Sequence, residues 1–358
     1  MAASASSSSA TMRAALLSSP GGPSSLQVGE TARPTPSAHQ VLIRVRGTAV
    51  NRADTLQRQG KYPPPPGAST ILGLECCGEI ASRGSECTRA DLAEGSRVMA
   101  LLAGGGYAEY AAVDEGSVMP IPSSLSFESA SAIPEVWLTA YLIARKLGGL
   151  KKDDIVLVHA GASGVGTALV QLCKLFGAHA IVSVSSEKKI EFCKQLGAVH
   201  GVNYKAAGSG AGESWNAQVK AFTKSRFGKD GVDLVLDPVG GSHSAANADV
   251  LAMDGRWILY GLMGGGIAKD FPLATILSKR IKLEGSTLRS RTEQFKAELV
   301  KEFTKECLGA FEGDAPKLKP IIEKSFPLEQ IAEAHTLMES NETIGKICIK
   351  VGGAGSQQ

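Results

Sequence analysis

The segment Val156-Leu157-Val158-His159-Ala160-Gly161-Ala162-Ser163-Gly164-Val165-Gly166 constrains this chain more than any other. Its apolar part, Ile155–Ala160, reads as a strand buried on both faces, and Gly164–Phe176 reads as a helix closed by Gly177. Small residues between the two permit a tight turn. The first amides of the helix then face whatever lies beyond the end of the strand. A strand apolar on both faces belongs to a sheet covered by helices on both sides.

The residues that follow supply such layers. Strands are expected at Ala180–Val184, Gly201–Tyr204, Val232–Asp237, Arg256–Gly261 and Ile281–Ser286. Helices are expected at Glu187–Leu196, Trp215–Phe227, Ala245–Met253 and Leu273–Arg280. Strands alternating with helices at this spacing predict an α/β fold with a doubly wound parallel sheet. Upstream, Pro134–Leu147 has helical periodicity and stops at Gly148-Gly149.

At 358 residues the chain has room for two domains. Met12 to about Ile133 is rich in short strand patterns: Arg13–Leu17, Val41–Ala49, Gly78–Ala81, Arg97–Leu102 and Tyr107–Val113. The run Pro63–Pro66 marks a stiff loop. The tail adds helices near Thr292–Phe311 and Leu328–Glu339 and a strand at Lys346–Val351. Residues 1–11 are Ala/Ser-rich and uncharged; they are expected to be a disordered tail, lacking a secretory signal's apolar core and a transit peptide's arginines, with an organelle-targeting remnant as the weaker alternative. Ala206–Glu213 reads as a loose loop.

Composition excludes several classes. The net charge is only +3, with Lys and Arg scattered, which argues against nucleic acid. No apolar run is long enough to span a bilayer. The 7 cysteines are odd in number and irregular in spacing, so reduced thiols and a cytoplasmic location are expected rather than a disulfide framework or zinc ribbon.

The glycine turn, Gly161-x-x-Gly164-x-Gly166, fits a dinucleotide pyrophosphate held on the helix amides; a plain strand–helix turn without a ligand is the competing reading. The next strand bears on which dinucleotide. It ends Val184-Ser185-Ser186-Glu187-Lys188-Lys189. Ser185 stands where an NAD-gripping carboxylate is expected, and lysines follow. Hydroxyls and positive charge suit the 2′-phosphate of NADPH. Ser186 also reads as a helix cap, and Glu187 keeps NAD open.

Several segments together resemble one family. They are Asn51-Arg52-Ala53-Asp54, Arg58-Gln59-Gly60-Lys61-Tyr62, His159-Ala160-Gly161, Ser163-Gly164-Val165-Gly166-Thr167, Asp254-Gly255-Arg256-Trp257, Leu259–Gly266 and Asn341-Glu342-Thr343-Ile344-Gly345-Lys346. From Met12 to about Lys350 the chain resembles the medium-chain dehydrogenase/reductase superfamily, best its zinc-free quinone oxidoreductase branch and, within that, the tumour-suppressor-inducible group. Gly73-Leu74-Glu75 resembles the Gly-His-Glu of zinc alcohol dehydrogenases with leucine at the ligand position. Neither the upstream ligand cysteine nor the structural-zinc lobe has a counterpart, so no metal is expected.

The resemblance implies a Rossmann domain, 134–280, inserted into a GroES-like β-rich catalytic domain formed by 12–133 and 281–358. It puts Ser163, Gly164 and Val165 on the pyrophosphate, Lys188 on the 2′-phosphate and Tyr204 beside the adenosine phosphate region. Gly261, Leu262 and Met263 would line the nicotinamide, with Asn51 and Thr139 flanking it and Lys346 nearby. Tyr62 would face the substrate, as the candidate proton donor with water as the alternative. Leu56 replaces a second tyrosine of some bacterial relatives. Each of these residues also has a purely structural reading, such as a turn for Asn51 or a surface position for Lys346. The implied reaction is hydride transfer from NADPH to a quinone, whose carbonyls are electrophilic enough without a Lewis acid. Alternatives are reduction of an enone or alkenal double bond, or an NADPH-binding sensor or structural protein with little turnover. A homodimer or homotetramer paired through Rossmann edges is also implied.

Overall fold

The computed structural model describes residues 10–207, 213–269 and 271–352. The expected tail up to residue 9, and most of the expected loop at 206–213, lie outside these residues. The chain divides into two units: 1–135, 289–313 and 322–358 form the first, and 136–288 with 314–321 form the second.

The first unit opens with β1 (Thr11–Leu17) and β2 (Leu26–Ala32), an antiparallel pair. β3 (Gln40–Val50), β4 (Glu75–Arg83), β5 (Arg97–Leu101), β6 (Tyr110–Asp114) and β7 (Val118–Pro120) follow. The second unit contributes β8 (Ile155–His159), β9 (His179–Val184), β10 (His200–Asn203), β11 (Val232–Asp237), β12 (Leu251–Leu259) and β13 (Lys282–Gly285). The chain then returns to the first unit with β14 (Ile322–Pro327) and β15 (Lys346–Lys350). The first-unit sheet runs β14-β15-β3-β4-β5-β7, with β6 on β3. Its core includes Val41, Ile43, Leu72, Cys76, Tyr107 and Ile347.

The second-unit sheet is parallel throughout and runs β10-β9-β8-β11-β12-β13. This is the doubly wound order expected from the alternating pattern. The order of strands reverses between β8 and β11, and open α/β sheets take their ligands beyond the carboxyl ends of the strands at such a point. The core of this unit includes Leu157, Ile181, Val235 and Trp257.

Two glycines of the sequence motif act on packing. A Cβ at Gly161 would stand 2.6 Å from the Cβ of Val182, and one at Gly166 would stand 2.3 Å from the Ala160 carbonyl oxygen. Gly161 therefore lets the turn lie against β9, and Gly166 lets the first turn of helix Gly164–Leu175 close on the end of β8. Ala160 takes a left-handed backbone, φ 50°, and ends the strand.

Several boundaries differ from the sequence reading. β13 belongs to the parallel sheet, paired with β12, so the second unit extends past residue 280. Residues 314–321 also join it. The stretch expected as one helix is α-helical over Pro134–Tyr141 and π-helical over Leu142–Leu147. The expected helix Ala245–Met253 ends at Val250, because Leu251 already begins β12. β2, β7, β14 and helix Arg52–Arg58 carry too short an apolar pattern to read from sequence.

Candidate functional site

In the second unit, the cofactor residues expected along the strands all follow carboxyl ends of the parallel sheet. Gly161 to Val165 follow β8, Ser185 and Lys188 follow β9, Tyr204 follows β10, and Gly261 to Met263 follow β12. Thr139 stands apart from these strand ends in sequence, half-buried on helix Pro134–Tyr141.

The turn after β8 tests whether a dinucleotide fits. A helix begins with four amides that lack intrahelical acceptors. Here the Ser163 amide donates to the Ala160 carbonyl, and the Gly166 amide donates to Ser163 Oγ at 3.0 Å. The amides of Gly164 and Val165 find no acceptor in the turn. They belong to two of the three residues expected on the pyrophosphate, at the positive end of a twelve-residue helix; the amide of the third, Ser163, is used within the turn. A diphosphate fits there.

One strand over, Lys188 is exposed and makes no ion pair or hydrogen bond among the described residues, and Ser185 is half-buried beside it in sequence. Glu187, the acid that kept NAD open, accepts from Asn203 Nδ2 at 3.3 Å. Ser186 Oγ accepts from the Lys189 amide, so Ser186 caps its helix as the structural reading held. Tyr204 is 37% exposed and lies edge-on to His243 at 6.2 Å between centroids.

The loops after β11 and β12 are laced together. Met263 N donates to Pro238 O, Gly264 N to Val239 O, and Gly241 N to Gly265 O. A Cβ on Gly264 would meet Ser242 Oγ at 2.2 Å, so the glycine run is there for close approach rather than for looseness. Leu262 and Met263 stand 57% and 54% exposed on this ladder. Apolar side chains held in water suit the flank of a nicotinamide ring.

A buried network that sequence reading missed holds this end of the sheet. Asp237, fully buried, accepts from the amides of Val239 and Gly240 at Oδ1. At Oδ2 it accepts from Asn247 Nδ2 and Trp257 Nε1. Asn247 Oδ1 lies 2.8 Å from His159 Nε2, which therefore carries the ring proton. Burial pushes His159 down to about 4, so the imidazole is neutral.

The first unit holds Asn51, Tyr62 and Lys346. Lys346, expected near the nicotinamide and otherwise readable as a surface residue, is buried at 3% exposure. Its ammonium donates to Val50 O, to Asn51 Oδ1 at 2.6 Å and to Glu75 Oε1 at 2.9 Å. Asn51 is committed as fully: Nδ2 donates to Glu75 Oε1 and Ala49 O. Its backbone amide donates to Asp54 Oδ2 at 2.8 Å, half of a capping box that begins helix Arg52–Arg58. The Asn-x-x-Asp spacing carried that helix signal.

Asp54 also accepts from Gly73 N and from the Tyr107 hydroxyl at 3.0 Å. Beyond Tyr107 lies His335 Nε2 at 3.2 Å, and Arg58 Nη1 meets His335 Nδ1 at 3.3 Å. Arginine can only donate, so Nδ1 accepts and Nε2 carries the proton. The order of donation is Arg58 to His335 to Tyr107 to Asp54. Burial pushes Asp54 up to about 6 and, with Arg58 adjacent, His335 down to about 3.

Among the described residues no hydrogen bond joins Tyr62 to Asn51 or Lys346. Tyr62 is half-buried, and the Arg289 guanidinium lies over its ring at 5.3 Å. Burial raises its phenol above the usual value; Arg289 opposes that and Glu135 adds to it. Leu74, at the ligand position of the zinc enzymes, is buried at 1% exposure. Among the described residues, no three His, Cys, Asp or Glu side chains group as a metal site requires.

Comparison with known families agrees with both units. The alcohol dehydrogenase GroES-like domain matches residues 37–123, and the zinc-binding dehydrogenase family matches residues 164–305. The chain is a medium-chain dehydrogenase/reductase. It is similar to the zebrafish (Danio rerio) synaptic vesicle membrane protein VAT-1 homolog, 28% identical over 95% of this chain and 70% of that protein. It is equally similar to the quinone oxidoreductase of Lama guanicoe, 28% identical over 94% of this chain and 97% of that one. Among solved structures, an NAD-dependent alcohol dehydrogenase is 29% identical, TM-score 0.80, covering 95% of this chain and 100% of that one. Escherichia coli quinone oxidoreductase complexed with NADPH is 26% identical, TM-score 0.78, with the same coverage. The chain is thus an oxidoreductase in family and fold, with a strand-end site suited to a nicotinamide dinucleotide. No helix among the described residues is long and apolar enough to cross a membrane.

Proposed function

We propose that this chain reduces quinones with NADPH. The observation that carries the reading is the turn after β8, where the amides of Gly164 and Val165 find no acceptor among the described residues while Lys188 stands unpaired among them one strand over. When bound, the cofactor supplies the hydride. Ser163, Gly164 and Val165 hold its pyrophosphate, and Ser185, Lys188 and Tyr204 its adenosine end. Gly261, Leu262 and Met263 line the nicotinamide, with Thr139 beside it. Asn51 and Lys346 shape the first unit rather than react, since their polar atoms are already paired. Tyr62 faces the acceptor. The two quinone oxidoreductases named above support the acceptor class, and leucine at position 74 supports an acceptor that is electrophilic without help.

A homodimer or homotetramer in the cytoplasm completes the reading. Among the described residues no strand pairs with the outer edge of β13, where Leu283 is 44% exposed. All 7 cysteines are free thiols. A second reading is an NADPH-binding protein of little turnover; the relative that is named as a synaptic vesicle membrane protein, and not for a reaction, keeps it in view.

The coenzyme assignment is tested by Lys188→Ala. Losing a charged contact to the 2′-phosphate raises the KM for NADPH about tenfold or more and leaves that for NADH within about twofold. Steady-state titration of both coenzymes reads this directly. Equal effects on both would remove Lys188 from the phosphate site.

A further inference from the structure

Arg289 is a buried cation with one nitrogen left over. It is 5% exposed, Nε donates to Ala103 O at 2.9 Å, and Nη2 donates to Gln57 Oε1 at 2.7 Å. Nη1 is buried and has no acceptor. Among the described residues no carboxylate forms an ion pair with this guanidinium, although Asp54, Tyr62 and Glu135 all act on it electrostatically. An arginine held by neutral groups on two nitrogens, with its third unsatisfied in the interior, is arranged for an oxygen the protein does not supply.

Glu135 is the complementary group. The residue is half-buried; its backbone amide donates to Glu75 Oε2 at 2.9 Å, and its carboxyl makes no hydrogen bond among the described residues. The charged groups that act on it are Glu75, Asp54, Lys346 and Arg289, with Tyr62 as a further titratable neighbour. Burial, with Glu75 adjacent, pushes its carboxyl up to about 8, so at neutral pH it holds a proton it can give. The Tyr62 phenol moves upward from an already high value, which makes it the poorer acid.

We propose that Arg289 and Glu135 act as a pair on the acceptor: Arg289 Nη1 holds the oxygen on which negative charge develops, and the Glu135 carboxyl protonates that oxygen. Tyr62 is the platform under the guanidinium. This rests on the reading of the chain as an NADPH-dependent reductase. The reduced coenzyme, when bound, would supply the acceptor with a hydride, that is, the hydrogen and both electrons of one C–H bond. The acceptor oxygen becomes anionic against Arg289. The O–H bond of Glu135 then breaks as the O–H bond of the reduced acceptor forms, and water reprotonates the Glu135 carboxylate. The acceptor gains two electrons and two hydrogens in total.

The test uses the full chain with NADPH and benzoquinone, comparing native protein with Glu135→Gln, Glu135→Asp, Arg289→Lys and Tyr62→Phe. The native rate should fall above pH 8 as Glu135 loses its proton. Glu135→Gln should abolish that limb and the solvent deuterium isotope effect and lower kcat about 100-fold, with the NADPH KM within about threefold. Glu135→Asp should restore a limb. Arg289→Lys keeps the charge but not the fork, and should raise the benzoquinone KM about tenfold. Tyr62→Phe should keep the limb and stay within about tenfold of native. An active native chain whose Glu135→Gln variant keeps both the limb and the rate overturns the pair alone. A native chain that oxidises no NADPH overturns the reductase reading and the pair with it.

Discussion

Lys346→Met should lower the stability of the chain by about 3–5 kcal/mol, with a fall in Tm of roughly 10 °C. The ammonium is 3% exposed, and each of its three hydrogens has an acceptor: Val50 O, Asn51 Oδ1 and Glu75 Oε1. Methionine fills much of the same volume, so the loss is electrostatic rather than a cavity. What remains is Glu75, fully buried, whose carboxylate keeps, among the described residues, the Asn51 amide and the Glu135 backbone N–H as its donors. An uncompensated buried charge costs far more than a broken surface pair, which is worth about 1 kcal/mol at most. Lys346→Met combined with Glu75→Gln should recover most of the loss, because the second change removes the stranded charge. Urea titration of the single and double variants checks both. A single variant within about 1 kcal/mol of native would mean that the pair is solvated in solution.

Asp237→Leu should be more damaging still to the second unit. The native carboxylate accepts four hydrogen bonds, from the amides of Val239 and Gly240, the Asn247 side chain and the Trp257 indole. Leucine matches the size of aspartate closely enough to enter, but it strands four donors in a site with no exposure. At about 1–3 kcal/mol for each, the sum is at least about 4 kcal/mol, comparable with the whole stability of an ordinary domain. The loop after β11 and the ladder it forms with the loop after β12 should open, so NADPH binding should fall together with stability. Calorimetry and coenzyme quenching of tryptophan fluorescence follow the two effects. A variant with native Tm would show that water replaces the carboxylate at this sheet end.

The contrast between these networks and the glycine turn shows what sequence carries. The turn was legible because its physics is local: strand, small residues and helix follow one another within a few residues, and the amides that stay unpaired are set by helix geometry alone. The parallel sheet was legible for the same reason, through alternating local patterns. The Lys346–Asn51 contact joins residues 295 apart, and Arg58 meets His335 across 277. No spacing rule reaches that far. Lys346 and Asn51 entered through family resemblance, which gave their positions and not their partners. Arg289, Glu135 and Asp237 had no local signature at all, since what distinguishes them is burial and the groups around them. The short strands β2, β7 and β14 were missed because tertiary pairing, more than propensity, makes them strands.

The central claim is that the chain passes a hydride from NADPH to a quinone. The most direct measurement follows oxidation of NADPH and of NADH by the purified full chain against benzoquinone, an ortho-naphthoquinone, an alkenal and a simple ketone. The account predicts fast turnover with a quinone, a clear preference for NADPH, and little rate with the ketone. Tight NADPH binding without oxidation by any quinone would contradict it.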